Sequence, residues 1–146
     1  MAIKGNKGNQ FHMRLYHGTD ASQVERIKKS GLGKETGAYL THDYDLARYY
    51  ANAAADESAS GEPVVLTVRA NPRNLRVDRN SFGDPVYAQD YGVQKRSFDP
   101  SKLRDDDKDW KNSLRETGAV FHEGRINPKD IVGVEKTPRQ SSWWDD

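Results

Sequence analysis

The sequence predicts a single α+β domain, and three observations carry that prediction. Short β-branched or aromatic runs are punctuated by glycine and Asn-Pro, two intervals carry helix caps with helical spacing, and the length allows one modest core. The chain has 146 residues, 34% of them hydrophobic and 31% charged, and a mean hydropathy of -0.98. That balance leaves a small core and much solvated surface and loop.

Residues 1–10 are polar, with two glycines and two asparagines, and read as a frayed arm ahead of one domain over 11–138. A first strand is expected at about 13–16. Asp20 or Ser22 then caps a helix reaching about Lys29, with Val24 and Ile27 inward, Lys28 and Lys29 in the last turn, and Gly31 as terminator. The Gly31-Leu32-Gly33 turn leads to a strand at 37–41. Asp43 caps a second helix to about Ala55, on which Leu46, Tyr50 and Ala53 or Ala54 share a face. Val64, Val65, Leu66 and Val68 make 63–68 the strongest strand, expected to be central.

Leu75 and Val77 suggest a short pairing after the Asn71-Pro72 turn. Over 79–117 the apolar content falls and Asp105-Asp106-Asp107-Lys108-Asp109 forms a charge run. Tyr87, Tyr91, Phe98 and Trp110 are nevertheless interleaved, so the segment reads as a long functional or partner-facing insertion with a helix near 109–116. Two late strands follow at 118–126 and 131–134, joined through Asn127-Pro128. The tail 139–146 is polar apart from Trp143-Trp144.

Charge and composition narrow the function. The 23 basic and 22 acidic side chains leave a formal charge of +1, so no overall field draws the chain to nucleic acid or anionic lipid. The absence of cysteine excludes disulfides, thiolate catalysis and Cys-zinc sites, and fits a reducing compartment. No apolar stretch approaches the roughly 20 residues of a membrane span, and residues 1–10 lack the apolar run of a signal peptide. The expectation is a cytoplasmic protein with no membrane partner. His12, His42 and His122 show no metal-ligand spacing, and the aspartates around Asp106 read as solvated surface, so no metal is expected.

Within this frame a few residues could form a site. His17 closes the first strand with Gly18 beside it; it reads either as a hydrogen-bonded structural histidine or as a ligand contact. Gly18 lets main chain approach a ligand closely, and its peptide complements a carboxamide. Tyr39 and Tyr50, 11 positions apart on the second strand and the helix after it, are either core aromatics or the two faces of a slot for a flat heteroaromatic ring. Tyr49 points about 100 degrees away from Tyr50 on a helix, which leaves Tyr50 to line the slot. Period-2 alternation puts Phe121, Glu123 and Arg125 on one face and Val120 and His122 on the other. Glu123 is then either a partly buried functional carboxylate or a solvated edge residue paired with Arg125 or Lys129.

The segments Leu15-Tyr16-His17-Gly18-Thr19, Gly37-Ala38-Tyr39-Leu40-Thr41 and Leu46-Ala47-Arg48-Tyr49-Tyr50 together resemble the His-Tyr-Glu group of ADP-ribosyltransferases, which includes diphtheria toxin and the poly(ADP-ribose) polymerases. More narrowly, they are similar to the small domains of this kind carried by phages and mobile elements, where they serve as toxins or effectors. The resemblance spans about 14–68 well and 118–134 loosely. It implies a split sheet pair, mixed or antiparallel, around an NAD cleft with two short flanking helices, and NAD as substrate without a metal. By the same resemblance His17 bonds the adenosine ribose, the Gly18 backbone holds the nicotinamide carboxamide, and Tyr39 and Tyr50 stack on the nicotinamide. Thr19 and Thr41 complete the two binding motifs. Glu123 takes the third catalytic place with His17 and Tyr50, bonding the ribose 2'-hydroxyl as positive charge develops. Ala47 stands where the polymerases carry a carboxamide-binding serine.

The implied activity is mono-ADP-ribosyl transfer from NAD to a macromolecule, with a host protein as the expected acceptor. Two variants stand beside it: NAD hydrolysis, and a binding module that keeps the fold without catalysis. Arg69, Arg73, Arg76, Arg79, Lys95 and Arg96 raise a nucleic-acid acceptor, which the near-neutral charge disfavours.

Overall fold

Apolar alternation organises the chain into six antiparallel strands, as seen in a computed structural model that describes residues 12–78 and 109–139. They are β1 (Met13–Asp20), β2 (Gly37–Thr41), β3 (Pro63–Ala70), β4 (Leu75–Val77), β5 (Ala119–Glu123) and β6 (Ile131–Lys136), in the sheet order β4-β5-β2-β1-β3-β6. Three helices accompany them: α1 (Ala21–Ser30), α2 (Tyr44–Asp56) and α3 (Trp110–Thr117). The fold is α+β. The expected frayed arm, most of the insertion with Tyr87, Tyr91 and Phe98, and Trp143-Trp144 lie outside the described residues.

The caps act as their residue types dictate. Asp20 accepts from the Ser22 amide at the start of α1, and Gly31, at φ 95°, closes that helix with its amide on the Ile27 carbonyl. Asp43 accepts from the Asp45 and Leu46 amides at the start of α2. β1 runs four residues beyond its expected end at Tyr16, because it pairs with β3 from Met13↔Ala70 through to Asp20↔Pro63. β3 is interior, although β2 and β1 hold the middle of the sheet. The two late strands are consecutive yet lie apart: β5 pairs with β2 and β4, while β6 forms the far edge beside β3.

One face of the sheet carries the main core. Leu15, Ala38, Leu40, Leu66, Val68, Leu75 and Val120 pack there against Ile27 of α1 and Leu114 of α3. The other face is covered over β1 and β3 by α2, through Ala47 and Ala51 against Val65 and Tyr16. The buried stripe of α2 is Leu46, Ala47, Ala51 and Ala55. Tyr50 and Ala53 fall outside it, a rotation from the expected face caused by alanines that let the helix sit close.

The strands form one sheet whose joints are unequal. β1 and β3 share eight ladder positions and β2 and β5 share five, whereas β1 and β2 meet at one, Tyr16↔Thr41. The half β4-β5-β2 and the half β1-β3-β6 are therefore joined by a single rung.

Candidate functional site

The seam between β1 and β2 is where the motif residues gather. Were the ladder to continue past Tyr16↔Thr41, Gly18 would stand opposite Tyr39. Instead the His17 Nδ1 lies 2.8 Å from the Tyr39 carbonyl oxygen. A carbonyl only accepts, so Nδ1 carries the hydrogen and the neutral ring presents Nε2 as a bare acceptor. Burial pushes the imidazole below its ordinary pKa, and the Tyr39 bond opposes this in part. Alternation sets His17 on the same side of β1 as Leu15 and the buried Thr19, so the imidazole enters the seam from the core face.

Gly18 points the other way, under α2. A Cβ built on it would stand 2.2 Å from the Ala47 carbonyl oxygen and 2.5 Å from the Ala51 nitrogen. Only glycine permits this approach, and Ala47 is fully buried beneath it. The close fit fixes Tyr50, whose backbone is 3.0 Å from the same point. Tyr50 is 38% exposed, with the Tyr49 ring edge-on at 5.4 Å.

Tyr39 shares its sheet face with Tyr16 and Thr41, the face on which α2 lies. The two phenols thus stand on one side of the molecule, one rising from β2 and one from the helix above β1. Tyr39 is 47% exposed and its ring lies 5.0 Å from Phe121, tilted by 59°. Thr41 is buried: its hydroxyl donates to the Gly118 carbonyl at 2.5 Å and accepts from the Asp43 amide at 2.9 Å. Those bonds tie β2 to the end of α3 and to the start of α2.

Glu123 ends β5 opposite Gly37, on the face that carries Phe121 and Tyr39. It is exposed, not partly buried as the alternation suggested; α2 packs mainly over β1 and β3. Its partner is neither Arg125 nor Lys129. Arg76 Nη2 lies 3.0 Å from Glu123 Oε1, reaching across from β4, where Arg76 sits opposite Phe121. The same guanidinium donates through Nη1 to the carbonyls of Arg73 and Leu75. The sequence singled out Arg76 only as one of several basic residues; its place beside Glu123, 47 positions on, depends on the pairing of β4 with β5, for which the chain has no local sign.

The geometry thus joins His17 to Tyr39 through a hydrogen bond and Gly18 to Tyr50 through packing, and sets Tyr39 and Glu123 on one face of the sheet. The side chains of Thr19 and Thr41 are held inside the fold. A cavity of about 460 Å³ opens beside this half-sheet, lined by Pro72, Arg73, Leu75, Arg76 and Trp110. Among the described residues no group of three or more His, Cys, Asp or Glu could hold a metal ion, and no helix is long and apolar enough to cross a membrane. No protein-family model and no curated protein matches this chain.

Proposed function

We propose that the chain is a mono-ADP-ribosyltransferase that moves ADP-ribose from NAD to a macromolecular acceptor and releases nicotinamide. The observation that supports this most is the seam: an imidazole with a bare Nε2 where the sheet parts, and exposed phenols on one face to either side. In this reading His17 Nε2 accepts from a hydroxyl of the adenosine ribose. The Gly18 backbone holds the carboxamide, and Tyr39 and Tyr50 enclose the nicotinamide ring by stacking. Thr19 and Thr41 fix the backbone of the two motifs from within.

Glu123 Oε1 is held by Arg76, and Oε2 is assigned to the 2'-hydroxyl of the nicotinamide ribose. As the bond from C1' to the ring nitrogen breaks, its electron pair leaves with nicotinamide and discharges the pyridinium. The carboxylate stabilises the cationic sugar until an acceptor nucleophile bonds C1' and gives up its proton. Incubation with NAD labelled on the adenylate and a cell lysate is expected to release nicotinamide and to label a discrete acceptor. Absence of both the label and nicotinamide release would overturn the reading. Free ADP-ribose without labelled acceptor would identify a glycohydrolase instead.

The Arg76 bond to Glu123 favours one other reading, a non-catalytic module whose carboxylate is structural. Calorimetry separates the two: NAD binding without nicotinamide release, unchanged in Glu123→Ala, belongs to the module.

A further inference from the structure

The cavity at the β4 edge is chemically unlike the seam. Its walls combine an indole, a proline, a leucine and two guanidinium groups, and a volume of about 460 Å³ falls within the range of small-molecule sites. Arg76 lines it with a guanidinium held in place by the Arg73 and Leu75 carbonyls and by Glu123. A guanidinium fixed in this way is a planar platform on which a base can stack. Trp110 supplies a second platform. The Lys111 Nζ lies 5.6 Å from the Trp110 ring centroid, and Lys111 is exposed, so a base takes that π face by displacing the ammonium outward.

The charges sort by role. Glu123 neutralises Arg76, whereas among the described residues no ion pair engages Arg73 or Lys111. Arg69, which the sequence grouped with Arg73 and Arg76, is taken by Asp130 at 3.0 Å. A guanidinium outside any ion pair among the described residues and an ammonium held over the indole, beside two flat groups, match a base with its flanking phosphates; an acidic peptide would use the cations and leave the flat groups idle.

We propose that this cavity binds one or two nucleotides of a single-stranded nucleic acid, with the base against Trp110 and Arg76 and the phosphates on Arg73 and Lys111. The near-neutral overall charge is consistent with this, since a footprint of two cations needs no global field. It sets a shallow salt dependence, a slope of roughly -1.4 in log affinity against log salt for two phosphates on a single strand. Arg76 is shared with Glu123, so a bound strand would lie next to the carboxylate. That the strand is also the acceptor rests on the transferase reading; that it binds does not.

The test is fluorescence anisotropy with fluorescein-labelled eight-residue oligo(dT) and oligo(rA). Wild-type protein is expected to bind with the shallow salt slope, and Arg73→Glu and Trp110→Ala each to weaken binding about ten-fold. Arg26→Glu, on the exposed face of α1, is the charge control and should bind as wild type. Because Trp110 packs against the core, a folded Arg73→Glu decides the matter should Trp110→Ala unfold. No binding, equal loss in Arg26→Glu, or displacement of the oligomer by a poly-glutamate peptide as readily as by unlabelled strand would overturn the proposal. Competition by AMP alone as strong as by the oligomer would also overturn it, in favour of a mononucleotide site. Nicotinamide release is measured separately, so failure of the transferase reading leaves the anisotropy result standing.

Discussion

At Glu123 the proposed chemistry hangs on one carboxylate oxygen, since Arg76 already occupies the other. Glu123→Gln keeps the shape and removes the charge; nicotinamide release is expected to fall about 100-fold with the dissociation constant for NAD little changed, as calorimetry and single-turnover assays would show. His17 governs binding instead. Its pKa lies below the ordinary 6.5, first because burial disfavours the charged ring, so the neutral form with a bare Nε2 persists at neutral pH. As pH falls through that lowered value, Nε2 gains a proton and ceases to accept, and NAD affinity should drop; His17→Asn should bind weakly at every pH. His122, buried with Nδ1 on the Gly124 carbonyl, is depressed in the same sense, mainly by burial. For both histidines the unfolded chain binds more protons, so their contribution to stability is complete above 6.5 and is lost as pH falls towards the folded value. The slope approaches about 1.4 kcal/mol per pH unit for each group, and urea titrations at pH 7.5 and 5.5 would measure it.

Asp20 shows how elements are fastened. Its Oδ1 accepts from the Ser22 amide and from the hydroxyls of Ser22, Ser58 and Ser60, which ties the start of α1 to the loop after α2. Burial alone would raise its pKa, but those bonds outweigh it and hold the carboxyl below its ordinary value. Asp20→Ala should cost about 2 kcal/mol by losing the cap and orphaning its partners. Faster amide exchange in the first turn of α1 and at residues 58–60 would locate the loss. The same residue marks what the sequence reveals about elements. Asp20, Gly31 and Asp43 act on amides and carbonyls within four positions, so the caps of α1 and α2 and the whole of β2 were legible. The last four residues of β1 were not, because what makes them a strand is β3, more than 40 residues away. The exposure of Tyr50 was hidden for a related reason: the buried stripe of α2 follows its alanines, and their fit depends on Gly18 across the interface.

In the whole molecule the two half-sheets touch at one rung but share a core. Leu15 and Leu66 from one half pack in the same cluster as Leu40, Leu75 and Val120 from the other. Unfolding should therefore be one transition, with tryptophan fluorescence and far-ultraviolet circular dichroism coinciding in urea; two separated transitions would show that the halves fold independently. The candidate site follows the same division. The strand that carries Tyr39 and the helix that carries Tyr50 were readable from local signals, whereas the Arg76 bond to Glu123 and the cavity beside Trp110 arise only from the order of strands. Gly18 has a mechanical consequence. With α2 seated so tightly on β1, the backbone at Tyr50 must move with β1, and any side chain at position 18 would lift the helix, with the phenols of Tyr49 and Tyr50 that it carries, away from the sheet.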